Sequence, residues 1–225
     1  ELLTLLPSDP GGVSVVDTDE GPALDLSALH FVGGGTDLMV GLAEGHQWVG
    51  GRSRAGNGAF PVCNFPTEEV FTSPHRDRVE GRLEASRPLA LGGTIVDGLV
   101  VTFRGGAAER IEARTGCEML EGLLSGDAGA KRLGEVGLVP SSSPVADKDV
   151  LFYNTLLDEN AASHIAFGQS YSACIDAERV PEAAGANTSA LHIDCMIGHD
   201  AMDVDGVLMS GKRRAIMRAG DFVLD

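Results

Sequence analysis

The run Leu191-His192-Ile193-Asp194-Cys195-Met196-Ile197 is apolar except at two positions, which carry an imidazole and a carboxylate. On a β-strand, residues i and i+2 face the same side, so His192 and Asp194 would project together from an otherwise buried element. That is a metal-ligand geometry; the competing arrangement is a His–Asp pair hydrogen-bonded within the core. A second set lies in Asp158-Glu159-Asn160-Ala161-Ala162-Ser163-His164-Ile165-Ala166-Phe167. Its alanines, its capping Asp and the closing Gly168 predict a helix over 158–167. Asn160 and His164 form an i, i+4 pair there. Glu159 and His164 are offset, yet within reach of each other around one end. Tyr171 follows beyond Gly168 and could overhang the same site.

Two further stretches place carboxylates where the pattern expects core. Pro66 forces the residue before it into extended backbone, so Thr67-Glu68-Glu69-Val70-Phe71-Thr72 leads into a short strand. Glu68 and Glu69 then face opposite sides, and one of them can enter a shared site. Leu133-Gly134-Glu135-Val136-Gly137-Leu138-Val139 reads as an apolar strand with one carboxylate in it. A buried, unpaired carboxylate is costly, so Glu135 needs a cation or a donor. Two glutamates, two imidazoles and an aspartate can make a two-metal site.

These residues must be held by short strands and Gly-rich turns, because apolar and polar residues alternate at period two over most of the chain. Strands are expected at 79–85, 94–96, 99–103 and 110–114, forming a meander with a hairpin turn at Asp97-Gly98. Helices are expected at 117–124 and 127–133, in addition to 158–167. Late strands are expected at 190–197 and 205–209, and 176–188 reads as a surface loop. The sum is a single α+β unit.

Charge narrows the partners. The 225 residues carry 17 Lys+Arg against 33 Asp+Glu, a formal charge of −16. Phosphate backbones and anionic membrane surfaces both need clustered basic residues, so neither nucleic acid nor membrane is an expected partner. The hydrophobic content of 43 % is enough for a packed core, and 30 glycines point to many tight turns. The four cysteines are scattered without a CxxC pair, which suits reduced thiols in a cytoplasmic protein. Cys195 should point away from His192 and Asp194. The apolar run at residues 2–6 is far short of the ~18–20 residues a membrane span needs. Gly33-Gly34-Gly35 and Gly50-Gly51 lack the context of a phosphate loop and read as turns. His30, His46, His75 and His199, beside turns and charged residues, read as solvent-exposed.

Together the motifs carry a resemblance. The stretches at 64–72 (NFPTEEVFT), 87–93 (RPLALGG), 133–140 (LGEVGLVP), 152–168 (FYNTLLDENAASHIAFG) and 191–198 (LHIDCMIG) resemble the thermophilic metalloaminopeptidase family of aminopeptidases T, S and PepS. The similarity runs from about residue 36 to the C-terminus, including Met-Asp-Val-Asp-Gly at 202–206.

The resemblance implies a large mixed, mostly antiparallel sheet with a few helices, and a pair of divalent ions, zinc or cobalt, with magnesium or manganese as alternatives. Carried over, Glu69 is the ligand of the Thr-Glu-Glu motif, Glu135 the bridging carboxylate, and His164, His192 and Asp194 the remaining ligands. Glu159 is a further ligand or base, and Tyr171 binds or polarises the substrate carbonyl. Glu68 is then a candidate general base or a holder of the substrate α-ammonium. The implied activity is hydrolysis of the N-terminal peptide bond of peptides with a free N-terminus, by a homodimeric cytoplasmic enzyme. The family's N-terminal α/β domain is not in this sequence, so residues 1–225 are expected to be one metal-binding catalytic domain. The alternative is a non-catalytic metal-binding and dimerisation fragment.

Overall fold

The computed structural model describes residues 25–50, 59 and 66–224. The chain runs through β1 (Leu26–Gly33), β2 (Thr36–Leu42), β3 (Val49–Gly50), β4 (Val70–Thr72), β5 (Pro74–Glu84), β6 (Leu89–Leu91), β7 (Thr94–Val96), β8 (Val100–Arg104) and β9 (Ala107–Glu112). Helix α1 (Cys117–Leu124), β10 (Leu133–Leu138), helix α2 (Thr155–Asp158), a 3-10 turn (Glu159–Ala161) and β11 (His164–Gly168) follow. The chain then forms β12 (His192–Met196), β13 (Asp203–Leu208), β14 (Arg213–Arg218) and β15 (Asp221–Phe222). This is mostly antiparallel sheet with a few helical turns, as expected.

The strands make two sheets and a hairpin. One sheet has the order β15-β14-β13-β1-β2-β5-β8-β9, the other β12-β11-β10-β4-β3, and β6-β7 stand apart. The sheets share one apolar cluster that takes Leu29, Phe31, Leu38, Val40, Val79, Leu83, Val101 and Phe103 from the first and Val136, Leu138, Ile165, Phe167, Ile193 and Cys195 from the second. Burying each such side chain contributes about 1.5–3 kcal/mol. Phe103 and Phe167 stack across the interface with centroids 5.8 Å apart.

Tight turns close the hairpins through glycine pairs. Gly105-Gly106 joins β8 to β9 with φ of 55° and 80°, a conformation that L side chains resist. Asp97-Gly98 does not close a hairpin, contrary to the sequence pattern. β7 pairs with β6 through Gly92-Gly93, whereas β8 pairs with β5 and β9. Asp97 instead makes a corner, where its carbonyl accepts from Arg114 N–H and its carboxylate pairs with the Arg114 guanidinium at 2.8 Å.

Two expected helices are also corrected. The 127–133 segment is a series of turns in which the Asp127 carboxylate accepts from Gly129 N–H, Ala190 N–H and the Ser189 hydroxyl. The expected helix over 158–167 stops after Ala161; Ala162 is extended, at φ −162° and ψ 149°, and a strand starts at His164. Pairing with β10 on one side and β12 on the other outweighs the helical propensity of three alanines. The 176–188 loop is irregular, but Ala184 and Ala186 are buried against Ala43 and Ile175. Cys63, Gly51, Asn64, Phe65 and the apolar run at 2–6 lie outside the described residues.

Candidate metal centre

The smaller sheet positions the polar residues by simple alternation. Ile165 and Phe167 of β11, Ile193 and Cys195 of β12 and Val136 of β10 belong to the apolar cluster, so their neighbours face the other way. The register sets Gly137 beside His164, Glu135 beside Ala166, Ala166 beside Asp194 and Gly168 beside His192. His164, Glu135, His192 and Asp194 therefore share one face. Glu69 comes to the same place from the residue before β4, next to β10 in the sheet. His164 thus works from a strand rather than from a helix.

Two groups of ligand atoms form there. Glu69, Glu135 and His164 make one, and Glu135, His192 and Asp194 the other, each within 4.8 Å. His164 Nε2 lies 3.1 Å from Glu69 Oε2 and 3.2 Å from Glu135 Oε1. His192 Nε2 lies 3.3 Å from Asp194 Oδ1 and 3.7 Å from Glu135 Oε2. Glu135 thus turns one oxygen to each group.

Backbone carbonyls set the imidazoles. His164 Nδ1 is 3.1 Å from Ala162 O, and His192 Nδ1 is 2.8 Å from Gln169 O. An Nδ1–H donated to each carbonyl turns Nε2 toward the carboxylates, where it donates to them when protonated and offers a lone pair to a cation when not, which is how histidine ligands are commonly held. Every residue has a backbone carbonyl, so no pattern of side chains could mark these two as partners.

The electrostatics call for cations. Glu69, Glu135 and Asp194 are 7, 5 and 8 % exposed, and His164 is fully buried. Buried Glu69 Oε2 faces the His164 imidazole, its ion-pair partner at 3.1 Å. Burial raises the Glu135 pKa. Burial and the nearby Glu69 and Asp194 carboxylates raise Glu159 to about 8. Burial alone would depress His164, yet its hydrogen bonds to Glu135 and Glu69 hold it well above its ordinary value. Burial likewise opposes charging of His192, but Asp194 lifts it to about 9. Asp194 is held below its usual range against the effect of burial, chiefly by its hydrogen bond to His192. A site that binds protons this strongly when ion-free, with three buried carboxylates and two imidazoles converging on one place, fits divalent metal ions.

Glu159 lies on the 3-10 turn, close enough to the carboxylates to feel their charge. Tyr171 is 47 % exposed at the rim, its ring centroid 5.1 Å from His192 and 5.9 Å from Phe71. Burial and the carboxylates raise its phenol to about 12. Glu68 joins neither ligand group, and its N–H donates to Asn160 Oδ1 at 2.6 Å. Asn160, expected to pair with His164, is used here instead.

The remaining histidines are half-buried and bonded rather than solvent-exposed. His30 contacts Asp37 at 2.7 Å, His46 Nδ1 contacts Ala43 O, and His75 and His199 accept from the N–H groups of Asp77 and Ala201. Cys117, Cys174 and Cys195 are free thiols, and Cys195 lies in the core, off the face of His192 and Asp194. Among the described residues, no helix is long and apolar enough to cross a membrane.

Known proteins resemble this chain in sequence and in fold. The family model described as thermophilic metalloprotease (M29) matches residues 22–222. Aminopeptidase T of Thermus thermophilus is 53 % identical over 200 residues, which cover 88 % of this chain and 49 % of that protein. Aminopeptidase AmpS of Bacillus subtilis is 41 % identical over 203 residues, covering 87 % of this chain and 49 % of its own. The solved structure of wild-type AmpT from Thermus thermophilus matches with a TM-score of 0.86 at 52 % identity, covering 88 % of this chain and 50 % of that one. The chain spans about half the length of the curated relatives it matches.

Proposed function

This chain belongs to the thermophilic metalloprotease (M29) family, and from that membership we propose that it carries the metal centre of an aminopeptidase that hydrolyses the N-terminal peptide bond of peptides. The observation that carries the proposal is Glu135, whose two oxygens belong to two ligand groups at once. A carboxylate so placed would suit two divalent ions, one that Glu69 and His164 would hold and one that His192 and Asp194 would hold. Ionised, Glu69, Glu135, Asp194 and Glu159 carry four negative charges, which two divalent cations balance. Zinc or cobalt suits the mixed imidazole and carboxylate donors, with magnesium or manganese as alternatives.

Bound there, such a pair supplies Lewis acidity, polarising a carbonyl and bringing the pKa of water toward neutrality. The chain's own residues do the rest. Glu159, on the turn beside the carboxylates, would take a proton from the attacking water and deliver it to the leaving amine. Tyr171 keeps its proton far above neutral pH, so its hydroxyl can donate to the carbonyl oxygen as negative charge develops. The buried walls around Glu69 and Glu135 keep those charges strong by excluding water.

The test is hydrolysis of leucine p-nitroanilide by the chain stripped with chelator and then reloaded with zinc or cobalt. Activity that disappears with the metal and returns with it is expected; metal binding without hydrolysis would sink the catalytic reading for these 225 residues. The proposal includes a homodimer and a cytoplasmic setting, the former tested by sedimentation.

A further inference from the structure

The residues flanking Glu159, Asp158 and Asn160, are polar and buried. Asn160 is fully buried. Its Oδ1 accepts from Glu68 N–H at 2.6 Å, and its Nδ2 donates to Leu156 O at 2.8 Å, while its own carbonyl accepts from the Ser143 hydroxyl at 3.1 Å. One amide orientation satisfies both side-chain bonds.

Those bonds fall at a weak point of the sheet. β4 begins at Val70, which pairs with Gly50 of β3 and Leu138 of β10. Glu69 therefore lies one residue before the ladder starts, and its side chain must still reach His164 at 3.1 Å. The backbone on its other side is held by the Glu68 N–H to Asn160. Glu69 is thus pinned between a strand and a side chain, and that side chain belongs to the same turn as Glu159.

We propose that Asn160 is a positioning residue for the Glu69 half of the metal centre, fixing Glu69 through the Glu68 amide and registering it against Glu159. This rests on the two-ion reading of the site. His192 and Asp194 stand on β12, in the sheet ladder, and do not depend on this bond. Loss of Asn160 should therefore weaken one ion and spare the other. Because Asn160 acts through the Glu68 amide, one residue from Glu69, the loss should lie at the low end of the ~10–100-fold typical of partners bonded to a ligand itself.

The experiment is calorimetric titration of the metal-free chain with zinc, for wild type, N160L and N160D, with thermal melts and hydrogen exchange of the Glu68 amide alongside. N160L keeps the volume but removes both bonds; N160D keeps an acceptor for Glu68. Expected is an about 10-fold loss in one of two binding events for N160L, with faster exchange at Glu68, and a smaller loss for N160D. If N160L keeps a wild-type melt and binds both ions with unchanged affinity, Asn160 has no such role. Equal loss of both ions in both variants contradicts the proposal as well. Should N160L fail to fold, Asn160→Ala takes its place, and unchanged affinity for both ions together with faster exchange at Glu68 overturns the proposal. A wild-type chain that binds no zinc refutes the metal centre itself, an outcome distinct from the others.

Discussion

Gly137 lies directly across the β10–β11 ladder from His164, and a Cβ at 137 would come within 2.4 Å of His164 Cε1 and Nε2. The imidazole can turn toward Glu69 and Glu135 because its neighbour has no side chain. Gly137→Ala should displace the ring and cost about 1–3 kcal/mol as an overpacked buried site. A urea denaturation midpoint lowered accordingly, together with weaker zinc binding in one event, checks this. An unchanged midpoint and unchanged affinity would show that the ring has room to spare.

Glu135 serves both ligand groups, whereas every other ligand serves one. Glu135→Gln should therefore weaken both ions, by more than the ~10–100-fold typical of an outer hydrogen bond. His192→Ala should weaken mainly one. Stoichiometry from zinc titration separates the two patterns, and a Gln variant that still holds one ion at wild-type affinity argues against a shared carboxylate.

Tyr171 touches Phe71 and His192 through its ring, so the proposed substrate contact falls to its hydroxyl. Tyr171→Phe should keep both ring contacts and both ions while kcat falls about 100-fold, the scale of a lost oxyanion donor. Steady-state kinetics with zinc occupancy measured on the same samples reads the split. A variant that loses zinc instead would make Tyr171 part of the ion site.

Much of this architecture is local enough to be legible in the residues. Period-two alternation at 191–197 is a property of any strand, so the shared face of His192 and Asp194 follows before the fold is known. The 158–167 segment misled because its alanines favour a helix, and only the pairing with β10 and β12 makes His164 a strand residue. Glu68 and Glu69 illustrate the same limit. Adjacent strand residues must diverge, but which one meets His164 depends on how the chain enters β4. The Asp97-Gly98 corner failed for a related reason, since a turn signal cannot say which strand the next segment joins.

Without metal, the protonation of the centre should make stability fall as pH rises. His192 titrates at about 9 in the folded chain against 6.5 for an unperturbed imidazole, so its contribution is complete below about 6.5 and lost through about 9. Glu159, at about 8 against 4.5, adds to the same trend, because its ionised form is disfavoured in the fold. Asp194 is lowered, so its contribution is lost only in acid, below this range. Urea midpoints of the chelator-treated chain at pH about 5, 7 and 9 should decline, and excess zinc should reverse the slope, since protons and metal compete. A flat profile without metal would contradict the coupling.

The central claim is a pair of ions bridged by Glu135, and anomalous scattering from crystals grown with zinc measures it directly. Two peaks about 3.5–4 Å apart are predicted, one beside Glu69 and His164 and one beside His192 and Asp194, with a Glu135 oxygen facing each. No peak near Glu135, or a single peak at full zinc saturation, would contradict it.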